Sequence, residues 1–225
     1  MARRESKTIQ ALKQEVIQTA KTIFEENLVK LTFGVVSARI PNTDHVVITP
    51  SGFSKARLST KELIVLDLEA NLVDGKLRPS VESKTHCYIH KLRPDVGAVI
   101  HTHSPVASGF ASANAEIPCV STEQAFVLGG TVPVVERYVI PGSQNQTDLE
   151  IIEKTFKSSK AVLLRNHGIL VIGATLREAL NSAIVVEDAA RVALVAKLAG
   201  KWEKLPDTEI KNLIDFRAQY GQRKK

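Results

Sequence analysis

The sequence predicts an α/β chain built on a mixed or mainly antiparallel sheet flanked by helices. Three observations predict it. Short apolar runs of strand-like composition follow one another early in the chain, stretches of helical periodicity interrupt them irregularly, and no linker-like segment divides the 225 residues. A doubly wound parallel sheet would instead alternate strand and helix regularly. With 44% hydrophobic residues, a chain of this length buries roughly 70% of its unfolded surface without staples. We therefore read residues 1–225 as a single domain.

The elements follow in order. Residues 8–28 carry Ile9, Leu12, Val16, Ile17, Ala20, Ile23 and Phe24 at helical spacing. Strand-like runs come next: FGVVSARI, then HVVITP ending in the Thr49-Pro50-Ser51-Gly52 turn, then LIVLDL before the Asp74-Gly75 turn. Residues 80–92 read as a helix stopped by Arg93-Pro94-Asp95. GAVIHTHS reads as a short strand with a polar end, followed by a helical PVASGFASAN. AVLLRNHGILVIG reads as one further strand. It leads into a long helix opened by the capping box Thr175-Leu176-Arg177-Glu178 and closed by Gly200. A last helix is expected near residues 208–220.

Composition excludes several classes. Cys87 and Cys119 form no CxxC pair, which argues against a disulfide scaffold and for a reduced, cytoplasmic setting. No apolar run reaches the ~18 residues of a membrane span, and the basic N-terminus lacks the apolar stretch of a signal peptide. Net charge is +6, which permits attraction to phosphorylated metabolites. The basic residues are scattered apart from the termini, however, and 5% aromatic content supplies few stacking platforms. No nucleic-acid or membrane partner is expected.

The chemistry concentrates in histidines. In a strand, residues i and i+2 share a face, so the imidazoles of His101 and His103 converge within reach of one ion. Taken alone, an HxH is more often a structural pair than a metal site. His167, in Arg165-Asn166-His167-Gly168, adds a third imidazole where an apolar strand meets a glycine. Three histidines with an open fourth position describe a catalytic zinc site. Three imidazoles also suit Mn2+, Co2+ or Fe2+. Glu82, His86 and His90, at i, i+4 and i+8 of one helix face, form a competing set. There we read Glu82 as a base at the helix start, His86 as a buried supporting residue, and His90 as either exposed or a support standing behind the site.

The succession TPSG, PSVESKTH, AVIHTHS and LLRNHGILV resembles the class II aldolase/epimerase family, whose members include L-fuculose-1-phosphate aldolase and L-ribulose-5-phosphate 4-epimerase. The likeness runs over nearly the whole chain. It implies a three-layer α/β/α fold with a mainly antiparallel central sheet, and a homotetramer with active sites between subunits. It implies Zn2+ on His101, His103 and His167, with Glu82 as acid/base and Tyr220 as a tail tyrosine that helps protonate the product. The implied reaction is reversible carbon–carbon cleavage of a small sugar phosphate or related hydroxy-ketone through a zinc-stabilised enediolate. The same resemblance admits a pentulose-phosphate 4-epimerase, a decarboxylase or dehydratase, and a non-catalytic adducin-head-like scaffold. Phe126 falls where the epimerases carry an additional acid, which favours the aldolase.

Where the family holds a substrate phosphate, this chain has Gly34-Val35, Ser51-Gly52 and Ser80-Val81. Gly34, Ser51, Gly52 and Ser80 are the substrate-binding candidates. Val35 and Val81 each replace a hydrogen-bonding side chain, so a smaller or unphosphorylated substrate is compatible with the sequence. Lys55, Arg57 and Lys84 are alternative anion contacts.

Overall fold

The computed structural model describes residues 2–143, 145–156, 159–217 and 220, with side chains from residue 9 onward. Its first half runs α1 (Ala2–Glu25), β1 (Val35–Arg39), β2 (His45–Ile48), β3 (Ile64–Asp67), β4 (Leu72–Asp74), α2 (Ser83–Leu92) and β5 (Ala98–Thr102). The second half runs α3 (Pro105–Ser112), α4 (Thr122–Leu128), α5 (Gln146–Phe156), β6 (Ala161–Leu164), β7 (Gly168–Gly173), α6 (Leu176–Leu198) and α7 (Asp207–Arg217). The described strands form one sheet in the order β4-β3-β2-β1-β5-β7-β6, every neighbouring pair antiparallel.

Strand alternation sorts side chains between two helical layers. From β5, Ala98 and Ile100 join α1, α3 and α6 in the larger core, with Val36 and Ala38 of β1 beside them. Val99 turns to the opposite face and packs with Ile89 of α2 and Ile151, Ile152 and Phe156 of α5. The register pairs Ser37 with Val99 and Val35 with His101, so Ser37 and His101 share the face covered by α2. That placement follows from a one-residue alternation and fixes where the chemistry sits.

The helices are held by spacing and by caps. Val16, Ala20 and Ile23 of α1 are fully buried. Along α6, Ala179, Ala183, Val186, Ala190 and Ala193 make a narrow buried stripe, and small side chains there let the helix lie close to the sheet. The Thr175 side chain accepts from the Glu178 N–H, as the capping box predicts. Glu187, buried within α6, accepts hydrogen bonds from the N–H groups of Val106 and Ala107 at 3.0–3.2 Å. It thereby satisfies orphan donors at the start of α3, directly after the His101-Thr102-His103 segment.

Three expectations need correction. AVLLRNHGILVIG is two strands joined by a tight turn, because Asn166 takes a left-handed conformation (φ 54°) between β6 and β7. His90 is not exposed but fully buried, which leaves the supporting alternative. Helices α4 and α5 also form where no element was expected. For α4 the signal was present: the Ser121 side chain accepts from the Gln124 N–H, a Ser-x-x-Gln start. Among the described residues, no helix is long and apolar enough to cross a membrane.

Candidate metal and acid–base site

His101 is the last buried imidazole of β5, His103 lies just beyond the strand, and His167 ends the turn into β7. The three meet because β5 pairs with β7 and the chain closes tightly at Gly168. A Cβ on Gly168 would lie 2.3 Å from the Thr102 carbonyl oxygen and 3.0 Å from the His103 ring. Only glycine fits. Gly34 plays a similar part on the other side, where its φ of +82° and a virtual Cβ 3.1 Å from the His101 carbonyl leave no room for a side chain.

The ring centroids lie 4.6 Å (His101–His167), 4.8 Å (His101–His103) and 5.0 Å (His103–His167) apart. One ligand nitrogen from each residue lies within 4.8 Å of the others. Three nitrogens bound at about 2.0–2.1 Å to one ion sit at most about 4.2 Å apart, so small ring rotations complete the set. The hydrogen bonding suits this. His101 Nδ1 lies 2.9 Å from the Ile169 carbonyl, which only accepts, so Nδ1 carries the proton and Nε2 presents a lone pair. That outer bond is the usual support of a metal-ligating imidazole. Phe33 stacks on His103, 5.2 Å between centroids at 19°, and fixes the orientation of the more exposed ring. Three neutral imidazoles with one open side therefore fit a divalent ion.

Burial keeps these imidazoles neutral. It holds His101 down at about 3 and His167 at about 4, with their mutual repulsion adding to it, and it lowers His103 as well. Glu82 faces them. As the residue preceding α2 it makes no side-chain cap, so its carboxylate is free to turn inward. Its oxygens lie 3.1 Å from His101 Nε2 and 3.6 Å from His167 Nε2. Burial pushes its pKa up against the opposing pull of His167 and His103. A carboxyl whose charged form is disfavoured in this way is better suited to hold and return a proton than a solvated one.

The cluster opens into a cleft of about 400 Å³. Gly34, Ser51, Gly52 and Ser80 line it, and so do Phe33, Val35 and Val81. Among its described lining residues there is no lysine or arginine. Lys55 is 1% exposed and donates to the carbonyls of Thr32 and Phe53 at 3.1 and 3.2 Å, tying together two loops of the cleft wall rather than facing a ligand. Tyr220 does not line the cleft. It packs edge-to-face on Phe126 at 5.1 Å and near Phe216 of α7 at 5.9 Å, and is 69% exposed.

The family model of the class II aldolase and adducin N-terminal domain matches residues 14–194. The chain belongs to this family. It is 32% identical over 206 residues to a probable L-ribulose-5-phosphate 4-epimerase UlaF of Mycoplasma pneumoniae, covering 86% of this chain and 85% of that protein. An L-ribulose-5-phosphate 4-epimerase UlaF of Salmonella paratyphi B is 29% identical over 197 residues, covering 84% and 86%. Among solved structures, an L-fuculose 1-phosphate aldolase superposes with a TM-score of 0.85 at 31% identity, covering 92% of this chain and 96% of that one. The class II aldolase fold expected from the motifs is thus the fold observed.

Sequence reasoning named the three histidines and Glu82, and the structure brings them together. It missed Phe33, Gly168 and Ser37. A glycine directly after the third histidine and a serine within an apolar strand were the available signals.

Proposed function

We propose that the chain is a metal-dependent aldolase that reversibly cleaves a carbon–carbon bond in a small hydroxy-carbonyl substrate. The observation that carries this reading is the Glu82 carboxylate 3.1 Å from His101 Nε2, at the open side of three convergent imidazoles. A divalent ion held by His101, His103 and His167, Zn2+ or else Mn2+, Co2+ or Fe2+, supplies a Lewis acid toward a carbonyl oxygen and its neighbouring hydroxyl. Glu82, with its raised pKa, takes a proton from the carbon next to that carbonyl and returns it. Phe33 and Val81 present apolar surface along the approach to the cluster. Gly34, Ser51, Gly52 and Ser80 contact the remote end of the substrate through backbone N–H and hydroxyl groups.

With Val35 and Val81 apolar and Lys55 sealed away, that remote end is better matched by an uncharged hydroxyl than by a phosphate dianion. Tyr220 keeps its assignment to the aldehyde oxygen only if it reaches the cleft of a neighbouring subunit, as in the homotetramer implied by the family.

A 4-epimerase is the second reading, and two curated relatives bear that name. Both reactions begin with the same carbon–carbon cleavage, so the site geometry serves either. The epimerase reading calls for an acid where Phe126 stands, and Phe126 instead packs on Tyr220.

The test is proton–deuterium exchange at the hydroxymethyl carbons of dihydroxyacetone and of dihydroxyacetone phosphate, followed by NMR in the metal-loaded protein. Chelator-sensitive exchange supports the aldolase chemistry, and the faster donor names the substrate class. Exchange in neither, with one metal per subunit bound, overturns the aldolase reading. Formation of the C4 epimer from a pentulose phosphate without released fragments would establish the second.

A further inference from the structure

Behind the site lies a buried chain of hydrogen bonds that the proposed chemistry does not use. Ser37 Oγ lies 2.8 Å from His86 Nδ1 and 3.0 Å from His90 Nε2. All three residues are fully buried. His90 Nδ1 points to the Val96 carbonyl at 3.3 Å, and Arg39 donates to the His90 carbonyl, anchoring the far end.

The proton positions follow from the acceptors. A carbonyl cannot donate, so His90 Nδ1 carries hydrogen toward Val96. Burial, with the Arg39 charge adding to it, holds the His90 ring down at about 3, so it is neutral and its Nε2 is a lone pair. Ser37 gives its single proton to that lone pair. The competing acceptor, the Val99 carbonyl, stands at 3.5 Å, at the limit of a hydrogen bond. Ser37 Oγ then accepts from His86 Nδ1–H. His86 Nε2 is left as a buried lone pair without a hydrogen-bond partner among the described residues. Burying such an acceptor alone has a cost, and buried polar groups of this kind ask for an explanation.

The location supplies one. Ser37 pairs with Val99, and His101 follows two residues later on the same face of β5. His86 stands one helical turn beyond Glu82 on α2. It is close enough to His101 for charge on that ring to oppose protonation of His86. We infer that His86 is a positioning residue, locked by the Ser37–His90 chain as the Nδ1–H tautomer so that an acceptor nitrogen, not a donor, lies behind the metal-ligating His101. The negative end of the His86 dipole then favours a cation at the cluster. The opposite tautomer would present an N–H and oppose it. This role rests on the metal-site reading above, whereas the tautomer itself does not.

Two measurements separate the parts. In 15N-histidine-labelled protein without metal, long-range 15N–1H correlation is expected to show both His86 and His90 as neutral Nδ1–H tautomers at pH 7. A His86 resonance of the Nε2–H form overturns the inference. The second measurement compares His86→Asn, whose amide N–H can still serve Ser37, with His86→Gln, whose amide reaches the Nε2 position. Zn2+ and Co2+ dissociation constants are read for each beside the thermal midpoint. His86→Asn is expected to weaken metal binding by up to roughly tenfold, the low end for loss of an outer support because His86 acts on His101 through its dipole and not through a hydrogen bond, while His86→Gln is affected less. Equal and unchanged affinities in two folded variants would reduce His86 to packing. A wild-type protein that binds no metal would overturn the proposed function and leave the NMR result standing.

Discussion

The position of a Cβ on Gly168 lies 2.3 Å from the carbonyl oxygen of Thr102, the residue between His101 and His103. Strand β7 can approach β5 at this point only because residue 168 has no side chain, and that approach is what delivers His167 to His101 and His103. Gly168→Ala must therefore push the turn away from the cluster. Such a contact is backbone against Cβ and has no flexible atom to yield. We expect loss of at least tenfold in metal affinity and a destabilisation of about 1–3 kcal/mol, the range of overpacked core substitutions. Isothermal titration with Zn2+ and chemical denaturation check the two parts. Unaltered values would mean that the turn is free to move.

Glu82→Gln tests the acid–base assignment. The amide keeps the shape of the carboxylate beside His101 and cannot take a proton. Metal stoichiometry should stay at that of the wild type, and the exchange rate at the donor carbon should fall roughly 10²- to 10⁴-fold, the usual scale for a lost general base. Metal analysis together with the NMR exchange assay reads both. A variant that loses its metal as well would make Glu82 a ligand rather than a base.

The way these residues could be read from the chain has a physical pattern. The ligand set was legible because an HxH in a strand end and a histidine beside a glycine constrain geometry over two or three residues. Glu82 was legible because a helix start and its i+4 neighbour are local too. What escaped depended on contacts between distant elements. His90 looks like a polar residue at a helix end until β1 sets Ser37 against it, 53 positions away. Lys55 reads as a ligand-facing cation until the loops at Thr32 and Phe53 close over it. The β6–β7 turn escaped because a continuous apolar pattern does not reveal that Asn166 adopts a positive φ.

The same buried histidines make stability depend on acid. His90 is held at about 3 in the folded protein by burial, against an ordinary value near 6.5. Between those values the unfolded chain binds the extra proton, so unfolding free energy falls as pH drops. The contribution is complete above about pH 6.5 and is lost progressively toward pH 3. One such group changes stability by up to about 1.4 kcal/mol per pH unit inside the window. His86, also pushed down by burial, acts in the same direction. Urea denaturation of metal-free protein at pH 7, 6 and 5 should show declining stability, and His90→Asn should flatten that decline by up to one proton. An equal slope in the variant would mean that His90 is already protonated in the fold.

Val81 carries the substrate question. It is 60% exposed on the cleft wall, next to Ser80 and Glu82, so a serine there adds a hydroxyl donor without opening a core. Val35 offers no such clean test, since it is 4% exposed and packed with Val46, Ile48 and Ile64. An asparagine at that position would bury an amide among aliphatic groups. If the apolar wall is what disfavours an anion, Val81→Ser should bind inorganic phosphate more tightly by the worth of one hydrogen bond. That is about 0.5–1.5 kcal/mol, or roughly 2- to 10-fold in the dissociation constant. The ratio of exchange rates for dihydroxyacetone phosphate over dihydroxyacetone should rise by a similar factor. Phosphate binding that is already strong in the wild type and indifferent to residue 81 would show that Gly34, Gly52 and the serine hydroxyls suffice, and would return the substrate to the phosphorylated class.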